Sequence, residues 1–257
     1  MARVFITGSA DGLGLMAARI LIEEGHEVTL QARNDARGRD ARSALPAASG
    51  VVIGDLSSIE ETRSVAEQAN ASGRFDAVIH NAGVGNREPR RIETVDGLAH
   101  VFAINVLAPY VLTALMHKPD RLVYLSSGLH RSGNPDVSDL QWTAQRWNGT
   151  QAYSDSKLQD CWLAFAIARR WSNVFSNAME PGWVATKMGG ANAPDDLAKG
   201  AVTQAWLCVS DEDAAKVSGQ YFFHQKQKAV SRDARREDLQ DLLLDYCASI
   251  SGVNFPA

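Results

Sequence analysis

Short β-branched or aromatic runs alternate with longer segments of helical period along the whole chain. That alternation marks βαβ units and predicts an α/β fold, a doubly wound parallel sheet flanked by helices. The runs are Val4–Thr7, Glu27–Ala32, Val51–Ile53, Phe75–His80, Arg121–Leu125, Val174–Met179 and Gln220–Phe223. Several are continuously apolar, as strands covered on both faces must be. Between them, Leu13–Glu24 places Leu13, Met16, Ala17, Ile20 and Leu21 on one stripe, and Asp96–Met116, Ala152–Trp171 and Asp196–Val209 show similar faces. No repeat, low-complexity tract or Pro/Gly-rich linker divides the 257 residues, so one domain over 1–257 is expected. The stretches 128–151 and 186–194 have no helix or strand pattern, and long loops in a folded domain tend to be functional.

Charge and cysteine content narrow the function classes. A formal net charge of −4 lacks the basic surplus of a nucleic-acid binder. Cys161, Cys208 and Cys247 are far apart with no CxxC pair, which points to free thiols in a reducing, cytoplasmic setting. The six histidines show no metal-ligand spacing, so no metal is expected. The chain opens Met1-Ala2-Arg3 and passes directly into Val4–Thr7, leaving no room for a secretion signal. The apolar run Trp162–Ala168 falls far short of the roughly 20 residues needed to cross a bilayer.

The first βα turn reads Thr7-Gly8-Ser9-Ala10-Asp11-Gly12-Leu13-Gly14, between an apolar strand and an amphipathic helix. Gly8 can make a tight turn, Gly12 removes a Cβ where a pyrophosphate would approach, and Gly14 lets helix pack on strand. A plain glycine-rich turn reads the same way. At the end of the second run, Gln31-Ala32-Arg33-Asn34 offers no carboxylate for a ribose 2′-hydroxyl. Arg33 can instead pair with a 2′-phosphate, helped by Arg37, which favours NADP(H) over NAD(H). The competing reading is a solvated helix face of arginines interleaved with Asp35 and Asp40. Tyr153 and Lys157 stand four apart, hence on one helix face, where the ammonium favours the phenolate and makes the phenol a better acid/base group.

Taken together, TGxxxGxG on the first turn, Asn81-Ala82-Gly83 after the fourth strand, Ser127 after the fifth and YxxxK on a later helix resemble the short-chain dehydrogenase/reductase family over nearly the whole chain. Ser126-Ser127-Gly128-Leu129-His130, Trp147-Asn148-Gly149, Ala152-Tyr153 and Ser156-Lys157-Leu158 are similar to its retinol dehydrogenase and carbonyl reductase branch. The resemblance implies that Tyr153 is the general acid or base, that Lys157 supports it and binds the nicotinamide ribose, and that Ser127 hydrogen-bonds the substrate oxygen. It implies a structural role for Ser126, and for Asn105 a place in a water relay to the lysine. Pro109 cannot donate to the Asn105 carbonyl, so that carbonyl is a candidate acceptor for the relay water, unless the proline is only a packing kink. The resemblance also implies cofactor contacts from Ser9, Asp11, Leu13, Asp55, Leu56, Asn81, Ala82, Gly83, Pro181, Gly182, Val184 and Thr186. His80 departs from the family pattern, which has asparagine there, and reads as a strand-end residue satisfied locally.

The expected activity is transfer of a hydride between NADP(H) and a carbonyl/alcohol pair, with reduction of an apolar ketone or aldehyde favoured. An NAD(H)-dependent alcohol dehydrogenase and a cofactor-bound sensor with little turnover are the alternatives. Trp142 and Trp147 in 128–151, and Met188 in 186–200, are candidates to roof the site as a lid; the tryptophans could equally fasten the insertion to the body. Arg87, Arg90 and Arg91 could draw in an acidic substrate or merely be solvated. Cys161, Trp162 and Phe165 form a face that often makes dimer contacts in relatives, although the preceding insertion could cover it, so a homo-oligomer remains open. The tail 235–250 reads as an amphipathic helix with Leu239, Leu242, Leu243 and Tyr246 inward, docked on its own domain or a partner subunit, not on a membrane.

Overall fold

The computed structural model describes residues 1–256, and its sheet follows the apolar runs. The strands are β1 (Arg3–Ile6), β2 (Glu27–Ala32), β3 (Gly50–Ile53), β4 (Ala77–His80), β5 (Arg121–Leu125), β6 (Phe175–Glu180), β7 (Tyr221–Phe223) and β8 (Lys226–Gln227), in the order β3-β2-β1-β4-β5-β6-β7-β8. All neighbours pair parallel except β7 and β8. The eighth strand is the departure from the seven expected. It is two exposed polar residues returned by a turn in which His224 (φ 46°) and Gln225 (φ 61°) are both left-handed. No Asn-Gly or Asp-Gly pair announces that turn.

The period-2 alternation of each central strand feeds two cores. Phe5, Val78, Leu122 and Tyr124 point to one face, whereas Val4, Ile6, Ala77, Ile79 and Val123 point to the other. The helices α1 (Gly12–Glu23), α2 (Asp35–Ala44) and α7 (Leu197–Val209) cover the second face. The first is covered by α3 (Ile59–Ala71), the short α4 (His100–Phe102), α5 (Ala108–Leu115), α6 (Gly149–Arg170) and α8 (Glu237–Ser251). Because the chain winds one way from β1 to β3 and the other way from β4, the crevice between the carboxyl ends of β1 and β4 is the place where such sheets take ligands.

Three expectations change. The segment Asp96–Met116 is not one α-helix: it starts at His100, widens into a π-helical turn over Ala103–Leu107, and resumes as α5 with Pro109 in its first turn. The missing proline N–H, which removes the regular bond to the Asn105 carbonyl, accounts for that widening. In α8, Leu239, Leu243, Leu244 and Cys247 are buried, but Leu242 is 50% exposed. The face of α6 bearing Cys161, Trp162 and Phe165 is covered by the chain itself, with Trp162 Nε1 donating to the Asp233 carbonyl at 2.8 Å. Among the described residues no helix is long and apolar enough to cross a membrane.

Candidate active site

The turn between β1 and α1 is held in place by buried polar bonds. Gly8 has φ +61°, and a Cβ there would lie 2.7 Å from Ala82 Cα; a Cβ on Gly14 would lie 2.5 Å from Asn81 Nδ2. Gly12 also has a positive φ, +54°, yet a Cβ on it would meet nothing within 4 Å. The turn therefore packs on the β4 loop through Gly8 and Gly14 and is open at Gly12, the side from which a phosphate could approach the α1 N-terminus. Ser9 is fully buried: its hydroxyl donates to the Ile6 carbonyl at 2.7 Å and accepts from Gln31 N–H at 2.9 Å. Its side chain thus has no free face for a ligand. Gln31, unremarked in the sequence, also accepts from Gly8 N–H and donates to the Gly54 carbonyl, both at 2.8 Å, locking three strand ends together.

The two arginines proposed for the adenosine end separate. Arg33 stands exposed just past β2 with no protein partner among the described residues. Arg37 is engaged, donating to the Ala10 carbonyl at 3.2 Å and pairing with Asp11 at 3.4 Å and Asp40 at 2.9 Å. Asp55 ties down its own loop, accepting from Ser57 N–H at 2.9 Å, while the Leu56 side chain is buried in the core. Leu13 reaches α7, 3.2 Å from where a Cβ on Gly200 would stand.

The ends of β4 and β5 carry the next group of side chains. Asn105, in the π-helical turn, accepts from Val84 N–H at 2.8 Å and donates to Ser156 Oγ at 2.9 Å, so it joins the β4 loop to α6. A Cβ on Gly83 would be 3.4 Å from Asn105 Oδ1 and 3.7 Å from Lys157 Nζ, so the bare glycine lets both groups face the same space. The Lys157 ammonium lies 5.6 Å from the Tyr153 ring centre, and the Tyr153 hydroxyl has no hydrogen-bond partner among the described residues. Ser126 Oγ donates to the Lys157 carbonyl at 2.7 Å, a structural bond that clamps β5 to α6. The neighbouring Ser127 accepts from Leu129 N–H at 3.3 Å, leaving its own O–H free to donate.

His130 does not face this space. Its Nδ1 donates to the Ser127 carbonyl at 2.7 Å, its Nε2 accepts from Ser231 N–H at 3.3 Å, and burial lowers its pKa. His80 is only half satisfied: Nε2 pairs with Thr113 Oγ1 at 2.9 Å, and Nδ1 is buried without a partner.

The two loops behave differently. Trp142 and Trp147 pack edge to face, 5.5 Å apart, and line a hollow with Phe102, Ala152, Asp155 and Gln159. Trp147 Nε1 also donates to the Glu88 carbonyl at 2.9 Å, and Arg91 Nε donates to the Gln141 carbonyl at 2.7 Å. These bonds fasten 128–151 to the body and occupy Arg91. The segment after β6 does span the cleft. Gly182 (φ +89°) turns the chain, Asp195 accepts from Trp183 N–H at 2.6 Å, and Val184, buried, bridges to Asp195. Thr186 Oγ1 accepts from Gly189 N–H at 3.1 Å, Pro181 packs on Gly200, and Met188 lies against Gly85. Lys187 reaches across to Asp11 and, with the Gly12 N–H, holds that carboxyl below its usual range. Asp195 and Lys187 were not singled out in the sequence, where an isolated charge in a loop reads as solvated.

A family model described as short chain dehydrogenase matches residues 2–134. The chain is 44% identical, over 100% of its length and 99% of the relative's, to the uncharacterized oxidoreductase AN7799 of Emericella nidulans. It is 30% identical to retinol dehydrogenase 13 of Homo sapiens, over 99% of this chain and 86% of that protein. A crystal structure of an uncharacterized protein from Mycobacterium paratuberculosis matches with a TM-score of 0.84 at 25% identity, covering 100% of this chain and 96% of that one.

Proposed function

The chain belongs to the short-chain dehydrogenase family, as an oxidoreductase acting on CH–OH and C=O groups with a nicotinamide cofactor; within it, we propose an NADP(H)-preferring reductase of an apolar ketone or aldehyde. The observation that carries this reading is the Tyr153 phenol, without a hydrogen-bond partner among the described residues, beside the Lys157 ammonium at 5.6 Å from its ring. The residues present fit the cofactor: Gly12 is open where a phosphate would come, and Arg33 is exposed and unpaired where a 2′-phosphate would stand.

When bound, the nicotinamide supplies the hydride. Tyr153 gives its proton to the substrate oxygen, and Ser127 donates a hydrogen bond to that oxygen where charge develops. Lys157 favours the phenolate that remains, and Asn105 holds the β4 loop and α6 in register while its carbonyl takes the relay water. Cofactor contacts run along Gly8, Asp11, Gly12, Gly14, Asp55, the Asn81-Ala82-Gly83 backbone, and Pro181, Gly182, Val184 and Thr186. Met188 and Trp183, 42% and 60% exposed on the segment that crosses the cleft, give the substrate an apolar lid. Three buried free cysteines support a cytoplasmic home.

The test is cofactor consumption by the purified chain with a panel of apolar ketones and aldehydes, NADPH and NADH in parallel. Turnover with NADPH well above NADH supports the reading. Turnover with NADH alone would replace it by an NAD(H)-dependent enzyme, and tight NADPH binding without turnover of any panel member by a sensor.

A further inference from the structure

Asp160 lies one turn beyond Lys157 on α6, on the same face as Tyr153, Lys157 and Cys161. It is 2% exposed, and its Oδ2 accepts from Lys157 Nζ at 2.8 Å. A second Lys157 proton goes to the Leu125 carbonyl, also at 2.8 Å. The third is left for the side bounded by Gly83 and Asn105, where a Cβ on Gly83 would stand 3.7 Å from the ammonium. A lysine in so dry a place would lose its proton unless an opposite charge kept it, and a carbonyl dipole is a weaker partner than a carboxylate.

We propose that Asp160 is a positioning residue: its buried carboxylate keeps the Lys157 ammonium charged and fixes its direction, so that one N–H is presented to Tyr153 and the cofactor side of the cleft. The inference rests on the functional reading above for what Lys157 does, but not for the pair itself. Desolvation alone would lower the lysine, yet the Asp160 carboxylate and Tyr153 hold it above its ordinary value. Burial lifts the Asp160 carboxyl to about 6, against the pull of Lys157. The other titratable groups near the pair are Cys161 on α6 and Tyr124 on β5, the latter tilted against the His80 ring of β4. Arg235, near the start of α8, acts on Cys161 from the far side.

The test is Asp160→Asn, which keeps the shape and removes the charge. In the full chain before cofactor is added, NMR of 13Cε-lysine, assigned with Lys157→Met, should show Lys157 titrating about one pH unit or more lower in Asp160→Asn. The alkaline limb of the pH–rate profile should move the same way. Should Asp160→Asn not fold, the reciprocal holds: 13Cγ-aspartate NMR of Lys157→Met should show the Asp160 midpoint raised. An unshifted Lys157 in Asp160→Asn, or an unshifted Asp160 in Lys157→Met, overturns the proposal. An unmoved pH–rate limb in an active Asp160→Asn enzyme does so as well. An unchanged chain that turns nothing over while both resonances shift supports the pair and counts against the functional reading alone.

Discussion

Thr7 accepts both the backbone and the side-chain N–H of Asn81 across the crevice between β1 and β4. Thr7 Oγ1 accepts from the backbone N–H of Asn81 and of Ala82, at 3.0 Å each, and the Thr7 carbonyl accepts from Asn81 Nδ2 at 2.9 Å. Thr7→Val would keep the volume and strand both amides. The expected loss is about 1–3 kcal/mol in denaturant unfolding, with Thr7→Ser close to the unchanged protein. Equal midpoints for Thr7→Val and Thr7→Ser would mean that the hydroxyl does not hold the crevice together.

Gly8 and Gly12 both have positive φ but different surroundings, so alanine should act differently at each. At Gly8 the added methyl meets Ala82 Cα at 2.7 Å, and the chain should lose stability beyond the left-handed strain of about 1–2 kcal/mol. At Gly12 only the strain applies, since the methyl enters open space; the variant should fold and bind NADPH weakly. Calorimetry of both variants with a nucleotide titration checks this, and unweakened NADPH binding by Gly12→Ala would place the phosphates elsewhere.

Arg33 is free and Arg37 is tied to Ala10, Asp11 and Asp40. Arg33→Ala should therefore weaken NADPH about 10–100-fold while leaving NADH within a few-fold, a difference of about 1.4–2.8 kcal/mol. Arg37→Ala should weaken both cofactors together, because it loosens the turn. Parallel loss of both cofactors in Arg33→Ala would remove the argument for NADP(H).

Acid should find two histidines. Burial lowers His80 to about 3 and lowers His130 as well, so the folded chain keeps both neutral where the unfolded chain, near 6.5, binds protons. The unfolded state then holds more protons, and stability present above about pH 6.5 falls as the pH drops toward the folded values. Each histidine contributes a slope of at most about 1.4 kcal/mol per pH unit. His80→Asn should flatten the fall in denaturant stability between pH 7 and 5, and a slope equal to that of the unchanged protein would show that His80 protonates without cost.

The apolar strands and glycine turn were legible because burial on both sheet faces and a sharp turn each demand particular residue types at adjacent positions. What escaped was set by distant contacts. Pro109 announced a disturbance near Asn105, but not that the backbone would widen into a π turn. Trp142 and Trp147 are as fit by type to cover a substrate as to anchor a loop, and the Trp147 bond to Glu88, distant in sequence, shows only that they anchor. Asp160 is not legible in the sequence because a charged residue on a helix belongs in solvent by its type, whereas here Lys157 receives it inside. Nothing local to the Cys161–Trp162–Phe165 face says that the C-terminal segment returns to cover it.

The most direct measurement is the single-turnover rate of carbonyl reduction in Tyr153→Phe beside its NADPH dissociation constant. Removing one hydroxyl that makes no hydrogen bond among the described residues leaves folding and cofactor contacts nearly intact. The rate should fall about 10²–10⁴-fold while NADPH affinity changes less than a few-fold. A variant that reduces the substrate at the parent rate would contradict the proton-donating role of Tyr153 and the mechanism built on it.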